Sequence, residues 1–286
     1  MLNYADMKLG TWYPMGGMSK IVGGMKQVLE NYNVNIKTSS EIESFGFDKK
    51  KINQLTFNNT DFKTDMVVAG ADYHHVDSAM LPPEFRQYSN KYWDKRELAP
   101  SAIIMYLGVK GDLPGLLHHN LFFDTPFDEH LNSIYGDVNW PENPLFYISN
   151  PSKTDKSVAP EGHENLFVLI PTAPGLINDD DSIAEAYLQI VIERLKKKLN
   201  LDISDRIVYK RFFQPKEFVS DYHAYKGNAY GLANTLRQTH LLKPRIKHKK
   251  ISNLYFTGQL TVPGPGVPPS IMSGEIVANQ IINQKL

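Results

Sequence analysis

Gly258-Gln-Leu-Thr-Val-Pro-Gly-Pro-Gly-Val-Pro-Pro-Ser-Ile-Met-Ser-Gly274 is the stretch on which the reading of this 286-residue chain turns. Before it, Ile251-Ser-Asn-Leu-Tyr-Phe-Thr-Gly258 has the aromatic and β-branched content of a short strand. After it, Ser270 to Gln284 reads as an amphipathic helix, with Ile271, Gly274, Val277, Ala278 and Ile281 as the expected packing face. A strand therefore delivers a glycine turn, and the chain enters a helix whose first N–H groups have no partner within the helix. Such an end attracts anions or partial negative charge, because unpaired amide donors and the helix dipole add there. Pro268 and Pro269 suit the first turn, where a missing N–H costs nothing. The competing reading is a plain strand-to-helix connection, but the loop from Gln259 to Pro269 is longer and stiffer than a connection needs.

Working outward, the opposite end of the chain supplies a second helix. Met18, Ile21, Val22, Met25, Val28 and Leu29 form one apolar stripe, so a helix is expected after Gly16-Gly17. Residues 33–37, 41–47 and 51–57 read as three short strands, the last closed by the turn cluster Asn58-Asn-Thr-Asp61. Residues 65–70 follow as an apolar strand of the kind found in the middle of a covered sheet. In the middle of the chain, residues 101–109, 120–123, 145–149, 165–170 and 207–213 are strand-like and rich in aromatics, with Pro-bearing loops between most of them. That pattern predicts a mostly antiparallel sheet enclosing a hydrophobic chamber rather than a βαβ repeat. A helix is expected from about Ser182 to Leu199, opened by a capping box of Ser182 and Glu185.

Composition narrows the function classes. Lys and Arg total 31 against 31 Asp and Glu, so no basic excess points to nucleic acid. The absence of Cys excludes disulfides, thiolate metal sites and a Cys nucleophile. No apolar run approaches the roughly 20 residues of a membrane span, and the N-terminal residues lack a signal-peptide layout. There is no Gly-x-Ser-x-Gly elbow, no His-Glu-x-x-His and no Walker loop. His74-His75 and His118-His119 are read as satisfied polar side chains, and no metal site is expected, since neighbours in a strand point to opposite faces. Asp124, Glu217 and Asp221 are acids beside aromatic segments, read as solvated or capping groups, so no catalytic base is assigned.

Several blocks resemble one family. Leu254-Tyr-Phe-Thr-Gly258, Pro263-Gly-Pro-Gly-Val-Pro268 and Ser273-Gly274 resemble the C-terminal FAD motif of the flavin-dependent carotenoid desaturases, the bacterial phytoene desaturase type. Asn3-Tyr-Ala-Asp6 with Leu9-Gly-Thr-Trp-Tyr-Pro-Met-Gly-Gly-Met18, then Val67-Val-Ala-Gly-Ala-Asp-Tyr-His-His-Val76 and His118-His-Asn-Leu-Phe-Phe-Asp124, are similar to further family blocks in the same order. The resemblance spans essentially the whole chain. It implies an FAD-dependent oxidoreductase introducing double bonds into a carotenoid such as phytoene, with a hydride passing to flavin N5. Gly258 and Gln259 would lie against the pyrophosphate and ribityl chain, and Gly266, Val267 and Pro268 would face the pyrimidine edge. Ile42 would touch the adenine through its backbone. Gln259 departs from the acid or small residue usual in related flavoproteins.

The family begins with Gly-x-Gly-x-x-Gly inside a βαβ unit, and no such motif occurs here. The chain is therefore expected to correspond to the C-terminal part of a desaturase. The implied fold class is α+β: a mostly antiparallel substrate-domain sheet with helices, plus strand and helix remnants of an incomplete FAD-binding Rossmann-like domain. Residues 1–33 would border the FAD domain, 34–72 would contribute strands to it, 73–250 would bind substrate, and 251–286 would form the C-terminal FAD-binding strand, loop and helix.

A carotenoid needs a long carbon-lined channel. Trp12, Tyr13, Tyr106, Phe122, Phe123, Phe146, Tyr147 and Phe167 are candidate wall residues, with ordinary core packing as the alternative for each. The basic runs 194–198 and 243–250 are solvated surface or attract anionic lipid, and residues 115–123 could dip into the interface beside them. A cytoplasmic protein peripheral to the inner face of the membrane is the expected location. Other readings are a related carotenoid isomerase, a desaturase of another polyene, or a truncated, non-catalytic polyene- or lipid-binding module.

Overall fold

The computed structural model describes residues 8–10, 12–176 and 180–283, with Leu241 described by its backbone alone. Asn3 to Asp6, Thr11 and Gln284, which enter the sequence reading, lie outside the described residues.

The apolar stripe after Gly17 forms α1 (Ser19–Asn31), which buries no side chain. Residues 33–37 are not a strand; the hairpins begin at β1 (Ser44–Asp48) and continue through β2 (Lys51–Phe57) and β3 (Thr60–Lys63). β3 occupies ground assigned to a turn and the residues after it. Asn58 and Asn59, both at positive φ, make the tight reversal that returns the chain antiparallel to β2. β4 (Val67–Ala69) follows, then α2 (Tyr73–His75), capped by Asp72, which runs directly into a π-helical turn at Val76–Met80.

The remaining elements are α3 (Asn90–Asp94), β5 (Ser101–Lys110), β6 (His119–Phe122), α4 (Phe127–Tyr135), β7 (Phe146–Ser149) and β8 (His163–Thr172). After these come α5 (Asp181–Leu199), β9 (Ile207–Phe213), α6 (Pro215–Tyr222), β10 (Leu254–Phe256) and α7 (Val267–Asn283).

The middle strands build one antiparallel sheet, as the aromatic segments predict, and its order is β6-β7-β8-β5-β9. Alternation sets its two faces. Ile103, Met105, Leu107 and Val109 of β5 and Leu166, Val168 and Ile170 of β8 point to one side, where Ala184, Leu188, Val191 and Leu195 of α5 cover them. The expected capping box of α5 is absent. Asp180 is the N-cap instead, its carboxylate accepting from the N–H groups of Ser182 and Ile183. The capping box lies one helix later, between Gln214 and Glu217 at the start of α6.

A second cluster surrounds Trp93, with Tyr73, Ile52, Leu81, Leu254, Phe256 and Leu260. Tyr73 stacks on Phe256 at 3.7 Å between ring centroids. β4 and β10 pair in parallel, Val67 opposite Leu254 and Ala69 opposite Phe256. Contrary to the expectation of a covered central strand, β4 pairs only with β10 among the described residues, and Val68 is 47 % exposed. No helix among the described residues is long and apolar enough to cross a membrane.

Candidate functional site: a parallel strand end beside an aromatic sheet face

The side-by-side ends of β4 and β10 position the C-terminal loop. Thr257 N–H donates to Ala69 O at 3.0 Å, so Gly70 and Gly258 leave the pair together. Gly258 holds φ +100°, a backbone that favours glycine. Asn253 fixes the approach: its side-chain oxygen accepts from Ile52 N–H at 2.9 Å, and its amide donates to Ile52 O and Asp65 O at 2.7 and 2.9 Å. Ser273 of α7 ties the far end. Its hydroxyl donates to Ser270 O and accepts from Gly258 N–H at 2.9 Å and from Thr257 at 2.5 Å. Gly231 closes on the loop from outside, where a Cβ would come within 3.1 Å of Gln259 O.

At the helix start, Pro268 and Pro269 carry no N–H, and Ser270 N–H is already donated to Gly266 O at 2.9 Å. The donors left for a ligand are therefore those of Gly266 and Val267, fewer than an ordinary helix end presents. Gly266, Val267 and Pro268 are exposed, while Gly258 and Gln259 are half-buried. Of the expected packing face of α7, Val277 is buried and Ile271 is 48 % exposed; Ser273 takes the inward place beside it. Ile42 stands apart from this loop. It lines a crevice of about 970 Å³ with Glu41, His75, Met80 and His223.

The aromatic candidates divide by strand parity. Phe122 and Phe146 are buried on the face that α5 covers, stacked at 4.5 Å between centroids. Tyr106, Tyr147 and Phe167 lie on the opposite face. There a row of rings crosses four strands: His119 to Tyr147 at 6.0 Å, Tyr147 to Phe167 at 6.4 Å and Phe167 to Tyr106 at 5.6 Å. Tyr13 meets this row's outer end edge-on against His118 at 4.8 Å. Beyond Tyr106 the row opens into a cavity of about 740 Å³ lined by Gly108, Asn165, Tyr209, Arg211, Phe213 and Tyr222 among others. Trp12 is 87 % exposed and Phe123 60 %, and neither joins the row.

The acids behave as their surroundings dictate. Asp124 lies 3.6 Å from both Arg194 and Lys198. Glu217 accepts from Gln214 N–H at 2.7 Å, and Asp221 lines the 740 Å³ cavity. Asp72 is different: burial pushes its carboxyl up to about 6, against the hydrogen bonds it accepts from backbone N–H groups. No cluster of metal-ligating side chains occurs among the described residues.

Comparison with known proteins decides the family. The model for flavin containing amine oxidoreductases matches residues 1–282. The chain belongs to that family. It is 42 % identical over 282 residues to the carotenoid 3,4-desaturase of Haloarcula japonica, covering 99 % of this chain and 57 % of that protein. It is 29 % identical over 289 residues to a 4,4'-diapophytoene desaturase of Staphylococcus aureus, covering 97 % of this chain and again 57 % of the relative. The chain thus spans little more than half the length of these relatives. Among solved structures, an oxidoreductase from Methanosarcina mazei superposes with a TM-score of 0.60 at 15 % identity, over 93 % of this chain and 55 % of that one. An engineered putrescine oxidase gives 0.59 at 10 % identity, over 94 % and 53 %. Both likenesses speak for the fold.

The residues present suit a flavin nucleotide. Glycines bring backbone close at two adjoining parallel strand ends, the setting in which open α/β sheets take ligands. The helix start keeps free donors, and a buried Lys243 Nζ beside the loop has no hydrogen-bond partner among the described residues. Sequence reading named the loop but missed Asn253, Ser273, Gly231 and Lys243, which hold or flank it. Only Ser273 carried a signal, as part of the Ser-Gly pair in the C-terminal motif.

Proposed function

We propose that this chain forms the polyene-binding sheet and the C-terminal cofactor segment of an FAD-dependent carotenoid desaturase. The observation that carries the reading is its 42 % identity to a carotenoid 3,4-desaturase, over 99 % of this chain and 57 % of that relative, and the ring row on the sheet face opposite α5 suits such a substrate. Bound FAD would supply the two-electron acceptor. Gly258 and Gln259 would lie along its phosphate and ribityl part, and Gly266 and Val267 would donate N–H groups toward the pyrimidine edge, where charge develops. Tyr147, Phe167 and Tyr106 would hold the extended carbon chain flat, and the cavity beyond Tyr106 would receive its end.

Membrane attachment belongs to the same proposal. Leu117, Leu121 and Phe123 are 67, 65 and 60 % exposed on the segment after Gly115, a concentration of apolar surface suited to a lipid interface through which such a substrate arrives. Liposome sedimentation tests it: Leu117→Ser with Leu121→Ser should release the protein, and binding indifferent to these changes contradicts it.

The catalytic test combines the 286-residue chain, alone and joined to a dinucleotide-binding half, with FAD and phytoene. The proposal expects flavin absorbance on the protein and a red-shifted polyene product with more double bonds. A product of unchanged hydrogen count would make the protein an isomerase. Polyene binding without FAD in either form would make it a binding module and end the desaturase reading.

A further inference from the structure

Lys243 opens the basic run 243–250, which the sequence presents as solvated surface, yet it is only 5 % exposed. The run's last two lysines stay outside and engaged, with Lys249 over Tyr88 and Lys250 donating to Glu84 O and Arg86 O at 2.8 and 2.7 Å, while His248 is buried 3.8 Å from Asp77. Lys243 Nζ has no hydrogen-bond partner among the described residues. An ammonium removed from water without a counter-charge costs several kcal/mol, so a buried lone lysine implies an anion. Burial accordingly lowers its pKa.

The direction in which it points identifies the place. A Cβ built on Gly264 would lie 3.3 Å from Lys243 Nζ and 3.8 Å from Asn234 Oδ1. Gly264 holds φ +141°, a backbone that L side chains rarely adopt, and its missing side chain leaves the ammonium facing the loop. Three residues on, α7 begins with the positive end of its dipole and the unpaired N–H groups of Gly266 and Val267. The helix end and the lone cation are independent features, and both are short of negative charge at one turn.

The geometry points to Lys243 as the cationic partner of the negative charge that two-electron-reduced FAD carries on the N1 and O2 edge of its pyrimidine ring, held at the 264–267 turn. This rests on the flavin reading above. Two electrons and one proton added to the neutral oxidised ring leave one net negative charge, delocalised over that edge. Supplied by a polyene, both electrons and that proton would come together as hydride from one C–H bond, and the neighbouring carbon would release its own proton to the medium as the double bond forms. Supplied by dithionite, the proton comes from water. Lys243 acts here as a binding and tuning residue that transfers no proton.

The test is anaerobic titration of oxidised and dithionite-reduced FAD into the 286-residue chain and its Lys243→Met, Lys243→Gln and Lys243→Arg forms. The wild type should bind reduced FAD at least tenfold more tightly than oxidised FAD. Met and Gln should abolish that preference, and Arg should keep most of it. A tenfold change equals about 30 mV in the two-electron midpoint potential. Ligand-free Lys243→Met should melt no lower than the wild type, because it removes a buried ion that has no partner. The inference is overturned if Met and Gln retain the preference, or if they weaken both redox states equally, as a purely structural lysine would. The same titration is run on the chain joined to a dinucleotide-binding half, and binding of neither redox state by either wild-type form would fail the flavin reading itself, and this inference with it.

Discussion

The sheet β6-β7-β8-β5-β9 and the parallel pair β4–β10 bury their side chains by different means. The sheet has a long, regular interior: alternate residues of β5 and β8 meet one face of α5, and the cluster is apolar almost throughout. The β4–β10 region is held by aromatic rings and by polar side chains bonded to backbone. Trp93 and Tyr73 pack around Phe256, while Asn253 and Ser273 satisfy strand and loop amides. Asp77 accepts from Gln87 N–H and Tyr88 N–H at 2.9 and 3.0 Å, and lies 3.8 Å from His248 in a site closed to water. Such polar fastenings specify geometry sharply and tolerate little change. The difference suits a division of labour: a robust sheet presents an apolar face, and a pinned, glycine-rich turn presents backbone donors.

This contrast can be broken by substitution. Trp93→Ala should cost about 3–5 kcal/mol, read by denaturant unfolding, and accelerate amide exchange around β4 and β10 before β5 and β8. Equal acceleration in both regions would mean that they share one core. Leu195→Ala, on the α5 seam, should cost about 2–5 kcal/mol and show the opposite exchange pattern. Asn253→Ala leaves Ile52 N–H and two carbonyls without their partner and should cost about 2–3 kcal/mol, with FAD affinity falling further than stability alone explains.

The smallest expected effect concerns pH. The Asp72 carboxyl, raised to about 6 by burial, binds its proton more tightly folded than unfolded. Its contribution to stability is therefore greatest below the ordinary value of 3.8 and is lost as pH rises through about 6. Asp72→Asn keeps the cap of α2 and removes that loss. The variant should melt on the order of 2 °C above the wild type at pH 8, with the gap closing by pH 4. A gap that widens toward acid would reverse the assignment.

Much of this was legible in the sequence, and what was not has identifiable causes. The long strands and α5 follow from residue periodicity, because their side chains are divided cleanly between a core and another face. Phe146 and Tyr147 were both read as channel-wall candidates, although strand parity separates them, and which face was the core depended on where α5 packed. β3 was hidden because Asn58-Asn59 reads as an end rather than as a reversal. The cap of α5 went to Asp180 because its carboxylate sits two residues before Ser182 and reaches two amides at once. Lys243 looked like its basic neighbours; its burial depends on Gly264, 21 positions away in the chain and visible only once the loop is folded.

The central claim is that one face of the five-stranded sheet is core and the other is a polyene platform. The most direct measurement is carotenoid affinity, followed by quenching of the protein's aromatic fluorescence as phytoene or a coloured C40 polyene is added from detergent. Tyr147→Ser with Phe167→Ser should weaken binding roughly tenfold, a loss of about 1.4 kcal/mol, at nearly unchanged stability. Phe146→Leu, on the covered face, should lower stability by about 1 kcal/mol and leave affinity within roughly twofold. Unchanged affinity in the double variant, or a loss confined to Phe146→Leu, would contradict the account.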